Sequence, residues 1–363
     1  MKILYIGTQE QKTGYGVSGA GYIKALKKIG HEVISFDYLN TKNKIDEKFD
    51  IVIYHCPVEW LPRLYIPNIP CYVITTFEAD KFPKHWIKIL EKYKPISVIV
   101  PSEFNKRSLE KDYTGNVFVI PHVIKEKFVT RELIKKRFIK TALENNPFIF
   151  YFIGEWNVRK NIETLIKAYL HAFQENENVL LVLKLKKERK EDFLLFKKIV
   201  EKMRNAMNAN NSPKIYVLFD NLSDDEIHSL HELCDCYVSA HRAEGFGLPI
   251  AEAMLKYNHI ITTGYSGNLQ FCNEHNSNLV SYRKTFIYGQ TKYDFWRAQY
   301  KPDMQWADVD ALHFSDTMKK IYKDKDAEYL KYKKELGVET IHDFYNVVNI
   351  GMKFKELIND KKI

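Results

Sequence analysis

The stretch Cys236–Met254 leaves few folds open to this chain. Residues Cys236 to Ala240 read as a short buried strand, Gly245 and Gly247 break it, and Pro249 falls where a first helical turn tolerates a missing N–H. A strand that turns through glycine into a helix is the repeating unit of an open parallel sheet. The same unit opens the chain: a strand at Lys2–Ile6, a polar loop with Gly14, Gly16 and Gly19, a helix to about Ile29, and a strand from His31 to Phe36. It recurs after the strand Phe148–Ile153. Further strands are expected at Phe49–Tyr54, Cys71–Thr76, Ser97–Val100, Val117–Ile120, Val179–Lys184 and Ile215–Phe219, and helix is expected over Val338–Ile358. At 363 residues the chain has length for two domains. Asn145-Asn146-Pro147 reads as the joint, giving an α/β protein divided into residues 1–146, 147–335 and a terminal segment 336–363.

Open parallel sheets bind ligands at the carboxyl ends of their strands. His55, Glu78, Ser102 and His122 fall just past strand ends in the first half. Arg159 and Lys160 stand near the amino end of a helix, where two cations suit a diphosphate. Gly245, Phe246, Gly247 and Leu248 offer backbone N–H groups at a strand-to-helix turn, and Ser266, Gly267 and Asn268 form a second turn suited to phosphate. Glu244 lies on the loop and Glu252 inside the following helix, so the two acids face different parts of one ligand. Glu78 reads either as a carboxylate that orients or deprotonates a hydroxyl, or as a surface acid beside Asp80.

The Glu244-x7-Glu252 spacing resembles the signature of retaining nucleotide-sugar glycosyltransferases of family four, glycosyl transferases group 1. Pro101–Asn105, Ile120–Val123, Gly154–Leu165, Asn276–Val280 and Trp306–Asp308 resemble further segments of that family in the same order, over about residues 72 to 310. The resemblance implies a GT-B fold, two Rossmann-like doubly wound domains facing across a cleft, with the last helix crossing back onto the first domain. It implies that Glu244 contacts the transferred sugar, that Glu252 holds the ribose, and that Lys160 holds phosphate. Glu155 stands where the family has arginine, leaving Arg159 to supply that charge. Gly14 and Gly16 would lie on a loop reaching the donor phosphates, and His241 and Arg242 would line the site. Glu244, His241 and Glu78 form the expected catalytic set, with His55, Glu78 and His122 on the acceptor side. Two further positions depart from the family: Glu78 replaces its acceptor-site histidine and Val123 a glycine.

The implied reaction moves a sugar from a nucleotide diphosphate, UDP or GDP, to a hydroxyl of a glycan, lipid-linked, protein or modified nucleic-acid acceptor, with retention of configuration. No Asp-x-Asp ends a strand and no His/carboxylate cluster has ligand spacing, so neither a cofactor nor an essential metal is expected. Two other readings compete. Gly14, Gly16 and Gly19 with Asp37 match a dinucleotide fingerprint, which would make a nicotinamide oxidoreductase. Against this, six residues separate Gly7 from Gly14, whereas that fingerprint opens directly off its strand. A non-catalytic nucleotide-sugar-binding protein is the third reading.

Net charge is +9, and residues 1–146 hold 24 Lys/Arg against 16 Asp/Glu, so nearly all the excess lies in the first half. That bias, with a basic amphipathic helix expected over Thr130–Leu143, suits peripheral contact with an anionic membrane or another polyanion. Five scattered cysteines fit no disulfide framework, and no apolar run approaches a membrane span, so a reduced cytoplasmic protein is expected, peripheral to the membrane at most.

Overall fold

The computed structural model describes every residue except 9–12, 39–46, 139–141, 187–191, 210, 288–298 and 360–363. Apolar, mostly β-branched and aromatic runs form β1 (Lys2–Gly7), β2 (Glu32–Phe36), β3 (Ile51–His55), β4 (Cys71–Ile74), β5 (Ser97–Val100) and β6 (Val117–Val119). They pair in parallel in the order β2-β1-β3-β4-β5-β6. β3, β4 and β5 are buried along their whole length, as strands with both faces covered must be. Around this sheet run α1 (Gly14–Lys28), α2 (Leu61–Leu64), α3 (Lys84–Tyr93) and α4 (Glu103–Leu109), and α5 (Glu132–Lys135) follows.

The second sheet holds β7 (Phe148–Gly154), β8 (Val179–Leu185), β9 (Lys214–Leu218), β10 (Cys236–Ser239), β11 (His259–Thr263) and β12 (Asn278–Val280), parallel in the order β12-β11-β10-β7-β8-β9. Its helices are α6 (Ile162–Ala172), α7 (Asp192–Ala206), α8 (Asp224–Leu233) and α9 (Leu248–Leu255). An antiparallel ribbon of β13 (Tyr282–Phe286) and β14 (Gln305–Val309) precedes α10 (Ala311–Asp324), α11 (Glu328–Phe344) and α12 (Val347–Asn359). In each sheet the winding reverses beside the first strand, between β1 and β3 and between β7 and β10, which places a crevice at the carboxyl end of each.

The ribbon docks on the first unit. Tyr300, Met304 and Trp306 share a core with Phe77, Phe82 and Trp86, and Asp80 and Gln305 exchange hydrogen bonds of 3.0 and 2.6 Å. The helix α12 returns to pack on α1, with the Tyr22 and Phe354 rings 5.4 Å apart edge to face.

Three expected elements differ. The helix expected over Thr130–Leu143 reduces to α5, and its residues 139–141 lie outside the described residues. Its apolar side is already covered: Ile134 and Phe138 are buried in the second core, Ile134 N donates to Ser229 Oγ at 3.0 Å, and Arg137 pairs with Glu226 of α8 at 2.8 Å. Val123 packs with the first sheet and Ile124 with the second, so the described part of segment 124–146 leans on the second sheet ahead of Asn145-Asn146-Pro147. The helix expected over Val338–Ile358 is two, because the Asn346 side chain accepts from Val348 N and Asn349 N, each at 2.9 Å, and caps a new start. All five cysteines are free and buried. Among the described residues no helix is long and apolar enough to cross a membrane.

Candidate functional site

The loops that follow β7, β10 and β11, three adjacent strands, meet at the carboxyl edge of the second sheet. Gly247 ends the β10 loop at φ +98°, a backbone state that suits glycine, and starts α9 without a side-chain cap. α6 also starts without one, after Asn161 at φ +55°. The first-turn N–H groups of α6 are thereby left without a capping side chain, a setting that favours an anion, whereas α9 adds only Leu248 N, since Pro249 has no N–H and Ile250 N donates to Gly247 O at 3.0 Å.

Glu244 sits at the centre, 7% exposed. Lys160 Nζ lies 2.5 Å from its Oε1 and Arg159 Nη1 3.1 Å from its Oε2. Arg159 also donates to Ala243 O at 2.9 Å, and its Nη2 lies 3.5 Å from Glu78 Oε1 of the first unit. The Tyr300 hydroxyl donates to the other Glu78 oxygen at 3.1 Å. Lys160, Glu244, Arg159 and Glu78 thus form a run of alternating charge that crosses between the units. Burial pushes the Glu244 carboxyl up, but Lys160 and then Arg159 outweigh it and hold it at about 2. Burial disfavours the Arg159 cation, and Glu78 and Glu244 more than reverse that.

Several expected site residues support Glu244 from beneath. Ser266, at φ +84°, accepts from Glu244 N at 2.8 Å, and its hydroxyl lies 3.3 Å from Asn268 Oδ1. Asn268 Oδ1 also meets His241 Nε2 at 3.1 Å, while its amide donates to Thr263 O at 3.0 Å. His241 is fully buried with Nδ1 on Ser239 Oγ at 3.0 Å, and burial lowers its pKa to about 4, so the ring is neutral. His241, Ser266 and Asn268 therefore hold the loop in place, with the Ser266 hydroxyl bridging Glu244 N and Asn268 Oδ1. Gly267 N donates to Glu244 O at 2.9 Å, and a Cβ at Gly267 would fall 2.0 Å from Gly245 O.

The turn itself touches the first unit. A Cβ at Gly245 would fall 2.1 Å from Thr76 Oγ1, and Gly245 O accepts from Ser102 Oγ at 2.8 Å. The Phe246 ring is buried against His122 at 4.8 Å and Phe271 at 5.0 Å. Leu248 opens α9. Arg242 donates to Val158 O at 2.6 Å, lies over the Trp306 ring at 5.8 Å and reaches Asp308 at 3.4 Å. Glu252 points elsewhere than Glu244: it lies 3.6 Å from His231 Nε2 of α8, whose Nδ1 meets the Tyr151 hydroxyl at 2.6 Å. Glu155 is exposed and pairs with Lys186 at 3.7 Å, and Arg159 is the arginine that reaches Glu244.

In the first unit, His55 meets the Tyr5 hydroxyl at 2.7 Å and His122 the Tyr22 hydroxyl at 2.8 Å. Burial lowers each imidazole to about 3, so both are neutral. Gly14 and Gly16 are not on a loop: they form the first turn of α1, where Thr13 Oγ1 accepts from Gly16 N at 3.1 Å. Gly14, Gly16 and Gly19 therefore make no glycine turn, and Asp37 follows β2 at the sheet's edge. Two residues escape a reading of the sequence. Tyr300 is 222 positions from the Glu78 it binds and carries no motif. Lys184 is visible as a lone lysine in the apolar run Val179–Leu185.

A family model for glycosyl transferases group 1 matches residues 134–284. The serotype-specific mannosyltransferase WbdA of Escherichia coli is 36% identical over 99 residues, 26% of this chain; the match spans about a tenth of that relative's length. The fold superposes on sucrose-phosphate synthase of Thermosynechococcus elongatus with a TM-score of 0.71 at 14% identity, covering 99% of this chain and 98% of that one. HepE of Anabaena, solved with UDP and glucose, superposes with a TM-score of 0.69 at 14% identity, covering 99% and 100%. A glycosyltransferase of Rickettsia africae gives 0.66 at 15% identity, covering 99% of each chain. With its two parallel six-stranded sheets, the chain has the GT-B fold of glycosyltransferase structures, and residues 134–284 carry a glycosyl transferases group 1 segment.

Proposed function

We propose that this chain is a retaining glycosyltransferase of the family-four type, moving a sugar from a UDP- or GDP-sugar to a hydroxyl acceptor without an essential metal. The observation that carries this reading is the ionised Glu244 between Lys160 and Arg159, beside two helix starts that no side chain caps. The four charges of the run balance, so a diphosphate entering the crevice must exchange partners with the carboxylates. Phosphate oxygens take Lys160 and Arg159, and Glu244 is released as an acceptor for the sugar's hydroxyls. As the bond from the anomeric carbon to the diphosphate breaks, negative charge grows on the leaving oxygen, where Lys160, Arg159 and the α6 N–H groups stabilise it. The backbone of Gly245–Gly247 faces the sugar, Glu252 takes the ribose, and Glu78 orients the acceptor hydroxyl from the opposite wall.

The group 1 segment supports the reading, as do a mannosyltransferase relative and a fold neighbour solved with UDP and glucose. The acceptor is a glycan, lipid-linked, protein or modified nucleic-acid hydroxyl. The basic first unit suits a cytoplasmic enzyme that meets an anionic surface. A nicotinamide enzyme finds no support, since Gly14 and Gly16 are helical.

The test is transfer of radiolabelled sugar from a panel of nucleotide sugars, with EDTA present and the product's anomeric configuration read by NMR. Retained configuration, no loss with EDTA and a drop of about 10²-fold or more in Glu244→Ala are expected. Inversion overturns the stereochemical assignment. Tight UDP or GDP binding with no transfer to any acceptor makes the chain a binding protein, and NADH binding with neither UDP nor GDP bound overturns the whole reading.

A further inference from the structure

Nothing above uses Lys184. It is 9% exposed in β8, and among the described residues its ammonium makes one hydrogen bond, to Leu185 O at 3.2 Å, and no ion pair. A buried ammonium without a carboxylate is costly, and a leucine or isoleucine would fill this strand position without that penalty. Burial accordingly pushes its pKa down, with Asp220 opposing from beyond ion-pair distance.

Its place in the sheet says what it faces. Lys184 pairs with Ile153 of β7 and Leu218 of β9, so these three side chains share one face. Ile153 is two residues beyond Tyr151 and points the same way, and Tyr151 meets His231, the histidine beside Glu252. The side chain of Lys160 lies on the opposite face, its Cε 3.6 Å from where a Cβ of Gly154 would stand. Lys184 therefore closes the carboxyl end of the face that carries Glu252, and β7 separates it from β10 and its Glu244 loop. A donor with its diphosphate at Lys160 and Arg159 and its ribose at Glu252 has its base still to place. The β11 side is closed, because the Ser266–Asn268 loop is buried against Gly245. The β8 side holds a buried cation that, among the described residues, leaves hydrogen-bonding capacity unused.

We infer that Lys184 donates a hydrogen bond to a carbonyl oxygen of the donor's nucleobase, and so makes the site select keto bases over their amino counterparts. This rests on the proposed nucleotide-sugar site. An ammonium has three donors and no acceptor. It matches O4 of uracil or O6 of guanine, whereas the amino group of cytosine or adenine at the same position sets donor against donor. In a buried site such a mismatch is not relieved by water.

The test is calorimetric titration of the full chain with UDP against CDP and with inosine diphosphate against ADP, pairs that exchange the keto and amino groups. Wild type should prefer the keto member of at least one pair by about 10-fold or more. Lys184→Met, which keeps the length of the chain and removes the donor, should bring that preference within about 3-fold, chiefly by weakening the keto ligand. Its Tm should be unchanged or higher, since a buried charge is gone. Equal wild-type affinities within both pairs overturn the inference while leaving the donor site intact. So does a selective site whose selectivity survives in Lys184→Met. Should that variant not fold, Lys184→Gln, which can accept from an amino group, must lower or invert the preference, and an unchanged ratio overturns the inference. Failure of all four nucleotides to bind overturns the donor site itself, and this inference with it.

Discussion

The carboxyl edges of the two sheets have the same topology and nearly the same burial, yet they carry opposite electrostatics. On the first, the hydrogen-bond partners of His55 and His122 among the described residues are the neutral hydroxyls of Tyr5 and Tyr22, and burial makes both rings neutral. On the second, Glu244 is as deeply buried, but two cations within 3.1 Å reverse the effect of burial and keep it ionised. Neutral hydroxyls cannot stabilise an imidazolium against desolvation, whereas paired opposite charges can stabilise a carboxylate. One edge is thus a neutral polar wall, suited to a hydroxyl-bearing acceptor, and the other exchanges anions. Glu78, the first unit's contribution to the charged run, is held by Arg159 and Tyr300, both from the second unit. The charge of the cleft is organised from one side.

That asymmetry is broken most severely at Arg159. Arg159→Met leaves Glu78 without its cation and Glu244 with only Lys160, and should cost about 3–5 kcal/mol in urea unfolding along with about 10²-fold or more in transfer rate. Glu78→Gln removes only the far end of the run and should cost at most about 1 kcal/mol. Equal losses in the two variants would mean that charge is shared evenly between the edges.

The edges should also part company in acid, with His241 of the second edge, lowered by burial to about 4, sharing the upper window of His55 and His122 and Glu244 alone marking the lower one. His55 and His122 have native pKa values of about 3 against an ordinary 6.5, so the unfolded chain takes up protons that the native one refuses. Stability they leave intact above pH 6.5 is lost as pH falls from 6.5 towards 3, on the order of 4 kcal/mol for each ring. Glu244, at about 2 against 4.5, contributes above pH 4.5 and is lost between 4.5 and 2, on the order of 3 kcal/mol. Urea midpoints measured from pH 7 to pH 3 should therefore begin to fall before the carboxylates titrate. His122→Asn should flatten the upper part of that fall and Lys160→Met the lower. An unchanged upper limb in His122→Asn would show that its ring is solvated and the wall is open.

Much of this was legible in the residues because strand ends are local. Glycine after an apolar run located the crevices, and Glu244, Arg159 and Lys160, each just past a strand, are indeed brought together. Pairings across the units were not legible, because Glu78, Arg159 and Tyr300 are far apart in the chain and meet only through tertiary packing of the two units and the β13–β14 ribbon. Local pattern also misled. Gly14 and Gly16 have the spacing of a phosphate loop, yet Thr13 can cap a helix there and nothing requires positive φ. The basic stripe over Thr130–Leu143 has the spacing of a long amphipathic helix, and its apolar side does pack, with Ile134 and Phe138 in the second core, but the helix itself is only Glu132–Lys135. Ser266 and Asn268 have the composition of a phosphate turn, but their polar atoms face Glu244 and His241.

The smallest effect tests whether the two edges touch at all. Gly245 lies so close to Thr76 that a Cβ would stand 2.1 Å from the threonine hydroxyl oxygen and 3.3 Å from its Cβ. That hydroxyl donates to Asn105 Oδ1 at 2.6 Å and is not free to swing away. Gly245→Ala should therefore cost about 1–3 kcal/mol, as inserted atoms do in packed sites. Thr76→Ala removes the clashing oxygen and one methyl, so the double variant should recover part of that loss despite the forfeited hydrogen bond. A double-mutant cycle should show coupling of about 0.5–2 kcal/mol between positions from different sheets. Independent, additive effects would mean that the cleft is open in solution and that Arg159 reaches Glu78 only on closure. Strong coupling would place the neutral wall and the charged edge in contact before any ligand arrives, so that donor entry must part them.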